Sequence, residues 1–194
     1  MKIRLAVAAV AVAAGAALST AALVHAQNRV TEKPFVSGGR IELWLNAGDF
    51  DVKPAPDNRI RVTLTGDVGN TKVEVTANGS QGKAVLRDAP NNNFGAVIEV
   101  PKNAELMIRM NAGDLKVRGI TGSKDVENKA GDVRIEVGTP ADYASVDASV
   151  KIGDLSAGPF GTAKGDFLSK SVNWTGKGKY TLRATLFAGD LKLQ

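Results

Sequence analysis

One short phrase recurs through the chain and narrows the folds open to it: a glycine, an aspartate, then an apolar residue. It appears as Asn46-Ala47-Gly48-Asp49-Phe50, Asn111-Ala112-Gly113-Asp114-Leu115 and Lys129-Ala130-Gly131-Asp132-Val133, then as Lys151-Ile152-Gly153-Asp154-Leu155 and Phe187-Ala188-Gly189-Asp190-Leu191. The five glycines are spaced by 65, 18, 22 and 36 residues. Two looser copies exist. Gly66-Asp67-Val68 lies 18 residues after Gly48 and fits a unit of 18 to 22, whereas Gly165-Asp166-Phe167, 12 after Gly153, does not. Self-similarity at such a period marks stacked repeats, each too small to bury its own apolar face.

Around these phrases the residues alternate with period two, the pattern of half-buried strands. Clear runs are 41–45, 59–65, 72–76, 132–137 and 179–186, and no stretch beyond the N-terminal segment shows apolar residues at helical spacing for three turns. The clusters 78–82 and 89–95 have the composition of turns. Glycine turns the chain at a corner, and the aspartate accepts nearby backbone N–H groups as the next strand starts. Leu115 and Val117, Val133, Ile135 and Val137, and Leu191 and Leu193 then point inward, while Lys116, Arg118, Arg134 and Lys192 point outward. Stacked about 4.8 Å apart, such strands form an aliphatic column within and a charged ladder without. The expected fold is therefore all-β: a short β-solenoid of stacked strand repeats. An antiparallel β-sandwich is the alternative, because the half before residue 100 repeats less clearly and a hairpin of 59–65 with 72–77 suits either.

The N-terminus has a different character. Met1-Lys2-Ile3-Arg4 is basic, an Ala/Val/Leu-rich run extends from Leu5 to Val24, and Val24-His25-Ala26 places small residues where a signal peptidase reads. The expected organisation is a helical signal peptide at 1–26, an extended lead-in at 27–37 and a β-strand repeat domain at 38–194. Gly15, Ser19 and Thr20 interrupt the apolar run, which favours cleavage over retention as a membrane anchor. Loss of Lys2 and Arg4 lowers the basic count from 25 to 23 against 20 acidic residues, a net charge of +3. That balance, interleaved along the chain, excludes a nucleic-acid surface. The expected location is periplasmic or extracellular, with membrane contact only if the signal is retained.

Three pieces of the chain resemble the bacterial "putative adhesin" family of exported β-strand-repeat proteins. Phe35-Val36-Ser37-Gly38-Gly39-Arg40-Ile41-Glu42-Leu43 looks like the start of that family's first strand. Ile98-Glu99-Val100-Pro101-Lys102-Asn103-Ala104-Glu105-Leu106 is similar to its Val-x-Val-Pro-x-x-Ala-x-Leu segment, with Ile98 in the first position. The Gly-Asp phrases are the third piece. The resemblance spans most of 35–194 and implies an exported or envelope-associated, β-solenoid-like domain.

There is no cysteine, and His25, the one histidine, leaves with the signal. Thiol catalysis, Ser-His activation and ordinary zinc sites are thereby excluded, as is acyl anchoring through an N-terminal cysteine. We expect no catalytic, cofactor-binding or metal-binding residues. The row of Asp49, Asp114, Asp132, Asp154 and Asp190 is expected to satisfy its own turns and pair with nearby cations. Two other uses of it remain as alternatives: a cation-stabilised structural module, and a carbohydrate-active enzyme or glycan-binding domain working through the outward Asp/Lys ladder. Trp44, Trp174, Phe160, Phe167 and Tyr180 form either core caps or a sugar-stacking platform, and Trp44 is out of phase with Ile41, Leu43 and Leu45. Lys164, Lys170, Lys177 and Lys179 make a mild basic patch. The expected role is a non-enzymatic exported interaction or scaffolding module of the cell envelope, its partner an unidentified protein or envelope polymer. Leu191-Lys192-Leu193-Gln194, as an exposed final strand, would also permit self-association through edge strands.

Overall fold

Each of the five clear Gly-Asp phrases is a corner between a long strand and a short one. The computed structural model describes residues 29–90, 92–166 and 168–194. The expected signal peptide, the first two residues of the lead-in, Asn91 and the candidate aromatic Phe167 lie outside the described residues. In chain order the strands are β1 (Val30–Pro34), β2 (Arg40–Ala47), β3 (Asp49–Pro54), β4 (Arg59–Gly66), β5 (Lys72–Asn78), β6 (Gln81–Arg87), β7 (Phe94–Val100), β8 (Glu105–Ala112) and β9 (Leu115–Val117). They continue as β10 (Lys124–Ala130), β11 (Val133–Ile135), β12 (Tyr143–Ile152), β13 (Leu155–Ser156), β14 (Lys164–Gly165), β15 (Lys170–Thr175), β16 (Tyr180–Ala188) and β17 (Leu191–Leu193). Two short 3-10 turns, Pro140–Asp142 and Gly158–Phe160, are the only helical elements among the described residues.

The strands form two sheets over one shared core. A nine-stranded sheet runs β14-β15-β12-β16-β10-β8-β2-β6-β5, and an eight-stranded sheet runs β1-β4-β7-β3-β9-β11-β17-β13. Their middle is a parallel solenoid. Long strands align Ala47, Ala112, Ala130, Ala188 and Ile152 across neighbours, and short strands align Phe50, Leu115, Val133, Leu191 and Leu155. Both ends switch to antiparallel pairing: β1-β4-β7 and β5-β6 close one end, and β14-β15 packs beside β12 at the other. A stacked-strand body with sandwich-like ends is the result.

The order of the rungs departs from the order of the sequence. The unit β16/β17 lies between β10/β11 and β12/β13, so the last repeat occupies an interior rung. Leu191-Lys192-Leu193 is thus paired on one side with β11 and on the other with β13, and the exposed terminal strand expected from the sequence does not form. The sheet edges are β1, β13, β14 and β5. The supposed hairpin of 59–65 with 72–77 is also absent: β4 pairs with β1 and β7, while β5 pairs with β6 in the other sheet. Residues 30–34 of the lead-in are drawn into the eight-stranded sheet as β1.

Glycine is required at the corners because of close backbone stacking. Gly113, Gly131, Gly189 and Gly153 have φ between +103° and +131°, and a Cβ on each would strike the carbonyl oxygen of the glycine one rung away. At the end of this column Gly48 meets Phe94, whose carbonyl oxygen would lie 2.9 Å from an added Cβ. Gly66 and Gly165 stand outside the column and abut Asn93 and Ser169 instead, so Gly66 does not extend the repeat despite its spacing.

The inward positions identified by alternation are buried: Leu115, Val117 and Ile135 are inaccessible, and Val133, Val137, Leu191 and Leu193 nearly so. Two polar side chains interrupt this interior. Lys124 stands in register between Leu106 and Leu182, and Asn128 between Met110 and Leu186. Asn128 donates to the carbonyls of Gly113 and Ala130, while its Oδ1 has no hydrogen-bond partner.

Candidate functional site on the outer face of the long strands

The aspartate column follows the rung order Asp49, Asp114, Asp132, Asp190, Asp154. Four of its five side chains are engaged at the corners, while Asp49 makes no side-chain hydrogen bond or ion pair with the described residues. The Asp132 N–H donates to Asp114 Oδ1 at 3.3 Å, and the Asp154 N–H donates to Asp190 Oδ1 at 3.1 Å. Arg134 pairs with Asp132 at 3.2 Å, Lys170 pairs with Asp154, and Arg118 grips Asp51 just beyond the corner. No three His, Cys, Asp or Glu side chains among the described residues converge to hold a metal ion. The aspartate outside the solenoid, Asp166, accepts the N–H groups of Leu168 and Ser169, and these bonds hold its carboxyl below the usual range.

The expected aromatic platform is divided. Tyr143, Phe160, Trp174 and Tyr180 gather at one end of the core, with Tyr143–Phe160 centroids 5.6 Å and Phe160–Trp174 centroids 5.2 Å apart. Phe160 is buried, and Trp174 and Tyr180 pack against the core. These are caps. Trp44 belongs to a different place: it is 42% exposed on β2, as its phase demands. The basic patch is likewise dispersed. Lys170 is tied to Asp154 at one end of β15, while Lys177 and Lys179 follow its other end, and Lys179 lies 4.7 Å from the centre of the Tyr180 ring.

The outer face of the nine-stranded sheet is where unassigned features concentrate. Strand register sets one row as Trp44, Arg109, Glu127, Thr185 and Ser149, and the next as Asn111, Lys129, Phe187 and Lys151 beside Asn46. Phe187 is 50% exposed and out of phase with Leu182, Ala184 and Leu186, the same signal that marks Trp44. Arg109 at the centre faces two carboxylates: it makes a two-pronged contact to Asp125 at 3.0 and 3.1 Å and meets Glu127 at 3.3 Å. The two carboxylates nearest the middle of this face are therefore engaged by one guanidinium. Two hollows adjoin Trp44. One, of about 590 Å³, runs past Arg109 and Asn111 to Phe187; the other, of about 510 Å³, is bordered by Lys83 and Arg87.

One inward position of the alternation is filled by an amine. Lys124 is 2% exposed, and its Nζ donates to the Gly122 carbonyl at 2.9 Å and the Tyr143 hydroxyl at 3.1 Å. Burial lowers the lysine pKa to about 8 and raises that of Tyr143 to about 12. With period-two alternation and an Asp125-Val126-Glu127 continuation, Lys124 occupies an inward position that composition alone does not reveal.

This arrangement defines an all-β protein of stacked parallel rungs with antiparallel ends, presenting a broad polar sheet face. Such a fold is found in the crystal structure of a "putative cell adhesion protein" from Clostridium sporogenes ATCC 15579, which is similar over 84% of this chain and 97% of that one, with 15% identity and a TM-score of 0.50. A "putative adhesin" from Parabacteroides distasonis ATCC 8503 is matched over 86% of this chain and 71% of that one, with 12% identity and a TM-score of 0.25. No family model matches the chain, and no curated protein matches it.

Proposed function

We propose that this chain is a non-enzymatic, adhesin-like interaction and scaffolding module of the cell envelope, exported to the periplasm or the cell exterior. The observation that carries this reading is the outer face of the nine-stranded sheet. It is a polar, regularly spaced surface from which Trp44 and Phe187 project, and its central ions pair with each other. Regular rungs suit extended partners, because the same contacts repeat at each strand spacing. The fold likeness to a protein named for cell adhesion supports the same reading, as does the basic-apolar-small order of the N-terminal sequence.

The test is co-sedimentation of the exported protein, purified in the form the cell leaves it, with isolated cell-wall polymer and separately with membranes. Saturable binding to either fraction is expected, unchanged by chelator. Robust hydrolase or lyase activity that a single-site change abolishes would overturn the proposal.

A further inference from the structure

We infer that the groove between Trp44 and Phe187 binds an acidic polysaccharide strand, laid obliquely across the long strands. The inference rests on the reading of the chain as an interaction module and names the ligand class of its exposed face.

The geometry comes from the register. Trp44 is on β2 and Phe187 on β16, with β8 and β10 between them. Three inter-strand steps at about 4.8 Å each, with Phe187 two residues beyond Thr185, the partner level with Trp44, set the two positions roughly 16 Å apart on a line oblique to the stacking axis, a span of several sugar units. Pyranose rings have apolar C–H faces and a hydroxyl rim, so they combine with isolated aromatic faces and amide groups rather than with a continuous apolar surface. The groove lining has that composition: Asn111, joined at 3.0 Å to Asn46 of the adjoining hollow, with Thr185 beside the Arg109–Glu127 pair. Asn111 has spent one N–H on Asn46, leaving further amide donors and acceptors for hydroxyl groups.

The charge points to an anionic strand. Arg109 faces two carboxylates, Asp125 and Glu127, and Glu42 accepts the Trp44 indole N–H at 3.3 Å, but Lys83, Lys129 and Lys151 form no ion pair with any described residue, so cations still outnumber carboxylates among these groups. Two of these cations lie over the aromatic faces, Lys83 at 5.5 Å from the Trp44 ring centre and Lys151 at 5.2 Å from that of Phe187. Lys129 and Lys151 flank Phe187 in the same row. A sugar stacking on either ring displaces an ammonium group, and a carboxylate on that sugar gives the displaced cation a partner. A neutral sugar offers the stacking without this compensation.

The experiment uses the purified exported protein and calorimetric titration with polygalacturonate, a methyl-esterified form of it, neutral dextran and polyphosphate. Binding to polygalacturonate, weakened by salt, is expected, with little binding to the other three. W44A and F187A should each weaken it about ten-fold or more, and a charge-reversed K129E/K151E variant should abolish it. Both rings are exposed, so melting temperatures should stay unchanged and certify the fold. Failure to bind polygalacturonate, equal binding of dextran, equal binding of polyphosphate, or full affinity in a W44A/F187A double variant would each overturn the inference. If that double variant still sediments with envelope material, the groove assignment falls while the wider proposal stands.

Discussion

Gly189 stacks directly on Gly131, although 58 residues separate them, and a Cβ on Gly189 would collide with the Gly131 carbonyl oxygen. The same contact repeats from Gly113 to Gly153, and it is what lets the corners of adjacent rungs lie a single strand spacing apart. Backbone hydrogen bonds follow the column: the Gly131 N–H donates to the Ala188 carbonyl at 3.0 Å, and the Val133 N–H to the Asp190 carbonyl at 2.8 Å.

Gly131→Ala and Gly189→Ala should therefore be severe. Each combines a positive φ with a backbone collision that no side-chain movement relieves, and a loss of about 3 kcal/mol or more is expected. Gly79→Ala is the control, since its φ is +54° but nothing lies within 4 Å of the added methyl group. It should cost about 1 kcal/mol. Urea denaturation of the three variants would measure the difference; equal losses would mean that the column is not the tight feature of the fold.

Deleting residues 180–194 should unfold the repeat domain instead of trimming it. Those residues supply an interior rung, so their loss strips pairing from both β10/β11 and β12/β13. Circular dichroism and limited proteolysis of the truncated chain would show loss of the cooperative transition. A truncated protein that still melted cooperatively would show that β12/β13 can stack on β10/β11 unaided.

Lys124 predicts a rise of stability with pH. Its folded pKa of about 8 lies below its ordinary 10.5, so the unfolded chain binds more protons between those values. Stability consequently increases as pH rises through that window, and the deficit is fully present below pH 8. Tyr143, raised to about 12, acts in the opposite sense above pH 10, which leaves pH 8 to 10 as the clean interval. Lys124→Met should abolish this rise and stabilise the protein at neutral pH by roughly 3 kcal/mol at most. Thermal melts at pH 7, 8, 9 and 10 on both proteins would check it.

The aspartate column should be indifferent to chelator. The carboxylates of Asp114, Asp132, Asp190 and Asp154 are engaged by backbone N–H groups and cations within the protein, so a calcium chelator is expected to leave the melting temperature unchanged. Asp114→Ala, which removes the acceptor for the Asp132 N–H, should cost about 1 kcal/mol. A chelator-induced fall of several degrees would restore the cation-stabilised alternative.

Much of the site was legible as phase. Trp44 and Phe187 break the alternation of their strands in the same way, and period two assigns both to the outer face before any coordinates are known. Their membership of one groove was not legible, because it depends on which strands lie between β2 and β16. The scattering of the aromatics was hidden for the same reason: Trp174 and Phe160 meet through β15 and a 3-10 turn, not through any repeat. Lys124 shows the converse limit. Alternation puts it inward, yet an inward lysine is admitted only because the Gly122 carbonyl and Tyr143 hydroxyl, the latter from a strand two positions away, receive its ammonium group.

By itself, then, the sequence determined the all-β class, the corners, and which residues of each run face the core. These are local properties: side chains alternate along any strand, and glycine alone turns so tightly. The order of the rungs was decided only in three dimensions. The phrases around Gly131, Gly153 and Gly189 are nearly interchangeable, so local preference cannot rank their neighbours. Pairing between distant segments does so: the antiparallel β15 and the Lys170–Asp154 contact occupy the far side of β12/β13, and the near side remains for β16/β17.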